Sequence, residues 1–208
     1  QYKSEFEWLK EVDRLALANA QMNLQKAYSN FFRSPKTGFP KFKSKHRSRN
    51  SYTTNNQKGS VSIENGCIKL PKIGFVKLKQ HRLIPSDYKL KSVTISQTPS
   101  GKYDASVLFE YENQVQKQDL NSFLGLDFSM HELYKDSNGN EPAYPRYYRQ
   151  SEKKLKREQR KLSKMQTGGK NRKKQRIKVA KLHEKVANQR KDYLHKQSRK
   201  IINAYDCV

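Results

Sequence analysis

From residue 148 to residue 203 the chain keeps a helical apolar period while carrying about half of its 44 Lys and Arg residues. Only Glu152, Glu158, Glu184 and Asp192 oppose that charge. The period predicts a helical hairpin with arms Ser151–Gln166 and Asn171–Asn203, broken at Thr167-Gly168-Gly169. Tyr148, Leu155 and Leu162 stand a heptad apart on the first arm. Ile177, Ala180, Ala187, Leu194 and Ile201 follow one side of the second, and Val179, Leu182, Val186 and Tyr193 widen that stripe. Like charges at i,i+4 destabilise an isolated helix, and a bound polyanion relieves the repulsion. The hairpin as a whole therefore reads as a phosphate-contacting element. For any single lysine the bland reading, a solvated helix face, remains the default.

The rest of the composition points the same way. The 208 residues have a formal charge of +25 and 19 acidic residues. Such an excess repels itself unless a polyanion neutralises it, and a nucleic-acid backbone is the commonest such partner. A membrane is the rival, but no stretch approaches the ~18 apolar residues of a spanning helix. The start, Gln1 to Trp8, lacks the charged head and apolar run of a signal peptide. It also lacks an initiator Met, so the expectation is a chain cut at its front. Cys67 and Cys207 form no paired motif, which argues for neither a zinc site nor a disulfide framework. The expected setting is the cytoplasm.

Several elements are legible. Glu5 to Phe32 contains neither Pro nor Gly and carries an apolar stripe through Trp8, Val12, Leu15, Leu24 and Phe31. Asp13 offers an N-cap for a second helix within it, and Ser34-Pro35-Lys36-Thr37-Gly38 stops it. Phe39 to Asn56 mixes Phe39, Phe42 and Tyr52 with Lys41, Lys43, Lys45, Arg47 and Arg49. That mixture suits base stacking beside phosphate pairing; it equally suits a solvated loop whose phenylalanines tuck onto the core. From Gly59 to Tyr111 short alternating runs read as strands. Asn65-Gly66 is a two-residue hairpin turn and Pro99-Ser100-Gly101 a second turn. A small, partly open antiparallel barrel is expected. Residues 113–121 read as a linker. Ser122 to Ser129 reads as an apolar, largely buried strand, with residues 131–136 as its hairpin partner and a turn at Asn138-Gly139.

Asp127 is the one candidate catalytic residue. A carboxylate among Phe123, Leu124, Leu126 and Phe128 needs a partner base or a metal. Two-metal nucleases place an acid on the first strand of an RNase H-like sheet, and Gly125 beside it would let a phosphate or metal approach the backbone. A structural Asp–Arg pair is the commoner outcome for such a residue, and from one Asp both readings stand.

The run Phe123-Leu-Gly-Leu-Asp-Phe-Ser129 resembles the first RuvC motif of the TnpB (OrfB) proteins of insertion sequences. Gly38-Phe-Pro-Lys-Phe-Lys43, Leu70-Pro-Lys-Ile-Gly-Phe-Val-Lys-Leu78, the span from Tyr148 to Gly168-Gly-Lys-Asn-Arg172, and Asn188-Gln-Arg-Lys-Asp-Tyr-Leu-His195 resemble the same family in the same order. The resemblance covers nearly the whole chain. It implies an α+β protein: a wedge-type antiparallel β-barrel with a helical insertion, then the N-terminal part of an RNase H-like (RuvC) domain with a long basic helical hairpin. Residues 1–35 would end the helical recognition segment, residues 36–118 would form the barrel, and residues 121–208 would open the nuclease domain, with the hairpin at 148–203.

The function implied is transposon-encoded, RNA-guided DNA endonuclease activity in a bacterial or archaeal cell, nucleoid-associated when on DNA. Guide RNA and target double-stranded DNA are the implied partners. Mg²⁺ or Mn²⁺ is the implied cofactor, with Asp127 as catalytic metal ligand. The phosphate-contacting set expected is Lys41, Lys43, Lys45, Arg47 and Arg49, with Lys72 and Lys77 on the barrel. On the hairpin it comprises Arg146, Arg149, Lys153, Arg157 and Arg160, then Lys170, Arg172, Lys173 and Lys174 at the break, and Arg190 and Lys191 beyond it. The chain departs from the family pattern at its end. The strand expected to bear the second acid begins at Tyr205-Asp206-Cys207-Val208, Asp206 comes too early to replace that acid, and the third acid and the zinc-ribbon cysteines are not in these residues. The chain therefore reads as a truncated member, inactive as a nuclease by itself. The alternative is a nuclease-dead RNA- or DNA-binding module, and a third reading is a structural RNA-binding protein.

Overall fold

A computed structural model describes residues 2–44, 50–112 and 120–208. The chain divides into two compact units, Gln1–Gln114 and Val115–Val208.

The first unit opens with a short helix α1 (Tyr2–Glu5), a 3-10 turn at Glu7–Lys10 and helix α2 (Arg14–Arg33). The expected break at Asp13 is present: its carboxylate accepts from the backbone N–H groups of Leu15 and Ala16 at 3.2 and 3.3 Å. These are two of the donors that a helix start leaves unpaired. At the other end Ser34 N donates to Asn30 O at 3.0 Å, and Pro35 follows.

Among the described residues six strands form two three-stranded antiparallel sheets. One has the order β1 (Ser51–Asn55), β5 (Lys89–Gln97), β6 (Tyr103–Glu110); the other runs β2 (Ser62–Glu64), β3 (Cys67–Leu70), β4 (Gly74–Lys77). Glu64 faces Cys67 across the β2–β3 turn, and Asn65 and Gly66 both have positive φ, 49° and 69°. This is the primed two-residue turn whose twist matches paired strands. Val61, Ile68, Leu70 and Val93 form the buried core, with Ile63, Leu78, Leu90, Ile95, Ala105 and Val107 packed against it. Both sheets thus contribute to one apolar cluster, as layered sheets must. Of the partly open barrel expected, the structure shows the small antiparallel sheets; among the described residues they do not close. Strands of three and four residues in β2–β4 pair only with one another.

Strand β1 lies inside the stretch that reads as a polar loop. It carries one large apolar residue, Tyr52, and is held by polar pairing instead. Thr53 and Thr94 share a hydroxyl hydrogen bond at 2.8 Å, Asn19 of α2 donates to Thr53 O at 3.1 Å, and the fully buried Thr54 hydroxyl donates to Asp13. Asp13 therefore caps α2 and fastens β1 to it.

The second unit contains β7 (Leu126–Phe128), β8 (Tyr134–Asp136), α3 (Tyr147–Ser163) and α4 (Lys170–Ala204). β7 and β8 are antiparallel. The turn after β8 is organised by Asp136, whose carboxylate accepts from Asn138 N, Asn140 N and Asn140 Nδ2 at 3.0, 2.7 and 2.8 Å, with Gly139 at φ 81°. Partial desolvation works against its ionised form, but these hydrogen bonds outweigh it and hold the carboxyl below its ordinary value. Phe123 and Cys207 form a parallel bridge, and Leu124 N donates to Cys207 O at 2.9 Å. Asp206 fastens this junction by accepting from Ser122 Oγ at 2.8 Å and from Ser122 N and Asn121 N at 3.0 and 3.2 Å.

The helical hairpin forms with its break at 164–169, and its seam keeps Leu155, Val179 and Val186 from the predicted stripes but not Ile177, Ala187 or Leu194. The buried positions are Leu155 and Glu158 on α3, and Gln175, Val179 and Val186 on α4. Ile177 and Leu194 are more than a third exposed, as is Tyr148, and Ala187 is exposed. The set 175–179–182–186–189–193 alternates steps of four and three, as a coiled-coil seam does, and admits two polar residues. No helix among the described residues is long and apolar enough to cross a membrane.

Candidate nucleic-acid interface

A cationic surface lies on α3. Lys153, Arg157, Arg160 and Lys164 recur at steps of four, three and four, placing them on one face. Lys156 and Lys161 join them to line a shallow groove of about 380 Å³. Three of the six are engaged by carboxylates. Lys156 pairs with Glu152 at 2.8 Å, and Arg157 and Lys161 approach Glu158 at 3.6 and 3.9 Å. Lys153, Arg160 and Lys164 make no ion pair among the described residues, so their charge faces solvent. Lys156, Lys161 and Lys164 fall outside the predicted set; their spacing from Lys153 was the available signal.

Glu158 explains how so basic a hairpin closes. It is 1% exposed. Gln175 Nε2 donates to its Oε2 at 2.9 Å and to its backbone O at 3.0 Å, and Lys178 Nζ lies 3.1 Å from Oε2. These contacts, the Gln175 amide first and Lys178 next, outweigh burial and draw the carboxyl from 4.5 to about 2. A buried charge is tolerated when it is paired and hydrogen-bonded on this scale.

The remaining predicted cations are scattered. Lys170, Lys173 and Lys174 are exposed at the start of α4, whereas Arg172 is half-buried. Its Nε donates to Met165 O at 3.3 Å, satisfying a carbonyl just beyond α3; that residue closes the hairpin rather than standing free. Arg146, Arg149 and Lys191 are exposed. Arg190 is exposed too, with its Nε donating to Tyr144 Oη at 3.0 Å. In the first unit Lys72 occupies a left-handed turn position at φ 66°, and Lys77 ends β4. Lys41 and Lys43 line a groove of about 380 Å³ with Phe39, Phe42 and the small face of α2. Neither described phenylalanine of this segment is tucked onto the core. Phe39 meets Tyr28 and Phe31 edge-on at 5.6 and 5.5 Å yet stays 62% exposed on the surface of α2, and Phe42 is fully exposed. Lys45, Arg47 and Arg49 lie outside the described residues.

Asp127 sits in the middle of β7, facing Lys135 of β8. The expectation of a largely buried strand is overturned: Phe123, Leu126 and Phe128 are 63, 42 and 80% exposed, and only Leu124, at 4%, is covered. A three-residue strand with one antiparallel neighbour has nothing packed on its outer face among the described residues. Asp127 is therefore exposed, and its cross-strand lysine is drawn aside, Lys135 Nζ pairing with Glu141 Oε1 at 2.6 Å. Gly125 is exposed beside Asp127, with its backbone N–H engaged. Its N–H donates to Ser137 Oγ at 3.2 Å, and a side chain there would rest on Ser137 Cβ at 3.6 Å. Among the described residues no three His, Cys, Asp or Glu side chains converge. Asp127 offers a single, open oxygen donor, which suits one ligand position of a hard cation but not a cage.

Residues 106–208 match the OrfB_IS605 family, described as "Probable transposase". Over 193 residues, 93% of this chain and 46% of the relative, the chain is 34% identical to a protein of Escherichia coli (strain K12) described as "Putative RNA-guided DNA endonuclease InsQ". Over 207 residues, 98% of this chain and 50% of the relative, it is 30% identical to a Streptomyces pristinaespiralis protein described as "Putative RNA-guided DNA endonuclease". The chain spans about half the length of these curated relatives.

Proposed function

Because the chain belongs to the TnpB (OrfB) family of insertion-sequence proteins, we propose that it supplies nucleic-acid-binding surfaces and one catalytic carboxylate to an RNA-guided DNA endonuclease. The observation that carries this reading is the open cationic face of α3. Among the described residues Lys153, Arg160 and Lys164 have no carboxylate partner there, while the hairpin's acid Glu158 is turned into the seam. A guide RNA and a DNA duplex both present the phosphate rows such a face attracts. The order of elements supports a RuvC-like assignment for the second unit. An antiparallel pair is followed by helices and then by a backbone that returns parallel to residue 123. The two small antiparallel sheets of the first unit support reading it as the family's wedge.

Asp127 would act as one oxygen ligand of Mg²⁺ or Mn²⁺. When bound, such an ion lowers the pKa of its water and stabilises charge on the scissile phosphate. The residues of this chain that serve that chemistry are Asp127 and the backbone of β7, which holds the carboxylate on an uncovered face. No zinc-dependent step is attributed to this chain.

The decisive experiment is cleavage of a labelled duplex, with guide RNA and Mg²⁺, by a polypeptide containing this segment at the length of its relatives. Asp127→Ala should abolish cutting and leave RNA affinity within about twofold, since the exposed side chain supports no fold contact. Undiminished cutting by Asp127→Ala would make the residue structural. The alternative reading, a binding module without cleavage, predicts RNA and DNA binding with no Mg²⁺-dependent product from the parent sequence either.

A further inference from the structure

Away from the groove on α3, the second unit carries a cleft of about 610 Å³ built from the β7–β8 connection, the segment entering α3 and the middle of α4. Its volume is within the range of small-ligand sites. Its lining is unusual for a protein surface. Phe128 is 80% exposed and Tyr148 is 51% exposed. Arg146, Arg149 and Arg190 stand in the same walls, three cations against the single carboxylate of Glu132. None of these guanidinium groups has a carboxylate within ion-pair distance among the described residues. Behind them the wall is rigid: Tyr147 and Tyr144 both pack edge-on against Tyr193 at 6.4 and 6.1 Å. Tyr193 Oη is anchored on Ala143 O, and Tyr144 Oη accepts from Arg190. Large apolar rings held open to water cost free energy unless something covers them. The adjacent unpaired cations make an apolar protein partner a poor fit.

We propose that this cleft takes one unstacked nucleotide of a single-stranded nucleic acid, its base against Tyr148 and Phe128 and its phosphates on Arg146 and Arg149. Stacking accepts any base through its π-face, and guanidinium forks match phosphate oxygens. The cleft differs from the α3 groove in kind. That groove is cationic throughout and suits a phosphate row, whereas the cleft combines rings with cations and selects for an exposed base. It also lies on the face of β7 opposite Asp127, because neighbouring strand residues point to opposite sides. It therefore holds a strand rather than cutting it. The proposal rests on the nucleic-acid reading given above, and the test keeps the two apart.

The 208-residue chain is titrated with four labelled probes of equal length: single-stranded DNA, single-stranded RNA, the DNA backbone with abasic sites, and a DNA duplex. The parent chain should bind base-bearing single strands more tightly than the abasic strand. Tyr148→Ala should weaken the base-bearing probes roughly tenfold, the scale of one lost stack, and leave abasic and duplex binding within about twofold. Tyr148→Trp should restore the preference. Since Tyr148 is half-exposed, the alanine variant keeps the fold, checked by circular dichroism. An equal loss on all four probes, or an unchanged preference for base-bearing strands in Tyr148→Ala, overturns the cleft while leaving phosphate-driven binding intact. Absence of salt-dependent binding to every probe overturns the nucleic-acid reading and the cleft with it. A larger effect on RNA than on DNA, or the reverse, identifies which strand occupies the cleft.

Discussion

Replacing Lys153, Arg160 and Lys164 together by alanine removes the α3 cations that have no carboxylate partner, and the size of the effect follows from their placement. Lys153 and Lys164 are eleven residues apart, about 16 Å along a helix axis, which matches roughly five phosphates along one strand of a duplex. Three released counterions flatten the slope of log K against log salt by about 2.7 for a duplex. Between about 50 and 200 mM salt the advantage of the parent chain over the variant should therefore shrink by about 40-fold. Fluorescence anisotropy on a labelled duplex at four salt concentrations measures both slopes. The fold is not at risk, because all three side chains are exposed and removing like charges from one helix face slightly stabilises it. Lys156→Ala serves as the internal comparison: this lysine is held by Glu152 at 2.8 Å and should change the slope less than any one of the three. Parallel salt dependences for parent and triple variant would refute the assignment of α3 as a phosphate-binding face, and a larger effect from Lys156→Ala would show that ion pairing does not sort these cations.

In the first unit, Asp13→Ala removes the α2 cap and strands the buried Thr54 hydroxyl. A loss of about 2–4 kcal/mol is expected in urea unfolding, and a change under about 0.5 kcal/mol would show that Asp13 does not join helix to sheet. In the hairpin, Glu158 has its carboxyl drawn from 4.5 to about 2. Its folded value lies below its unfolded one, so its contribution is present above pH 4.5 and lost as pH falls towards 2. Glu158→Gln should flatten helix loss by circular dichroism over that interval, and an identical acid limb in both proteins would sink the argument.

Local chemistry was legible wherever a single residue determines a backbone state. Asn65-Gly66 announced positive φ at both turn positions, and Asp13 announced a helix start by its capping oxygen. Strand β1 was hidden because its stabilisation is polar and non-local: Thr53 finds Thr94 and Thr54 finds Asp13, each 41 residues away in sequence. No period in Ser51–Asn55 signals such partners. Burial of Asp127 was misjudged for a related reason. An apolar run predicts that a strand would gain by being covered, but covering requires a neighbouring layer, and on the outer face of β7 the described residues provide none.

The phase of α4 was half legible. Val179, Leu182, Val186 and Tyr193, read as widening the stripe, lie in the seam, whereas the side through Ile177 and Leu194 faces outward. The seam keeps its own alternating steps from Gln175 to Tyr193, and apolar periodicity could not mark it because Gln175 and Gln189 are polar. The actual seam accepts Gln175 and Glu158 as a polar layer, and that layer determines the outer surface. Glu158 turned inward holds Lys178 and draws Arg157 and Lys161 towards itself. Glu152 and Asp192 hold Lys156 and Lys196 along their own helices. With these three acids occupied by neighbours within the hairpin, none of the three is left to screen Lys153, Arg160 and Lys164. The cationic face is thus a consequence of which acids the fold buries or pairs, and not of net charge alone. A count of Lys and Arg could announce that a polyanion binds this hairpin, but only the packing of Glu158 against Gln175 decides along which side.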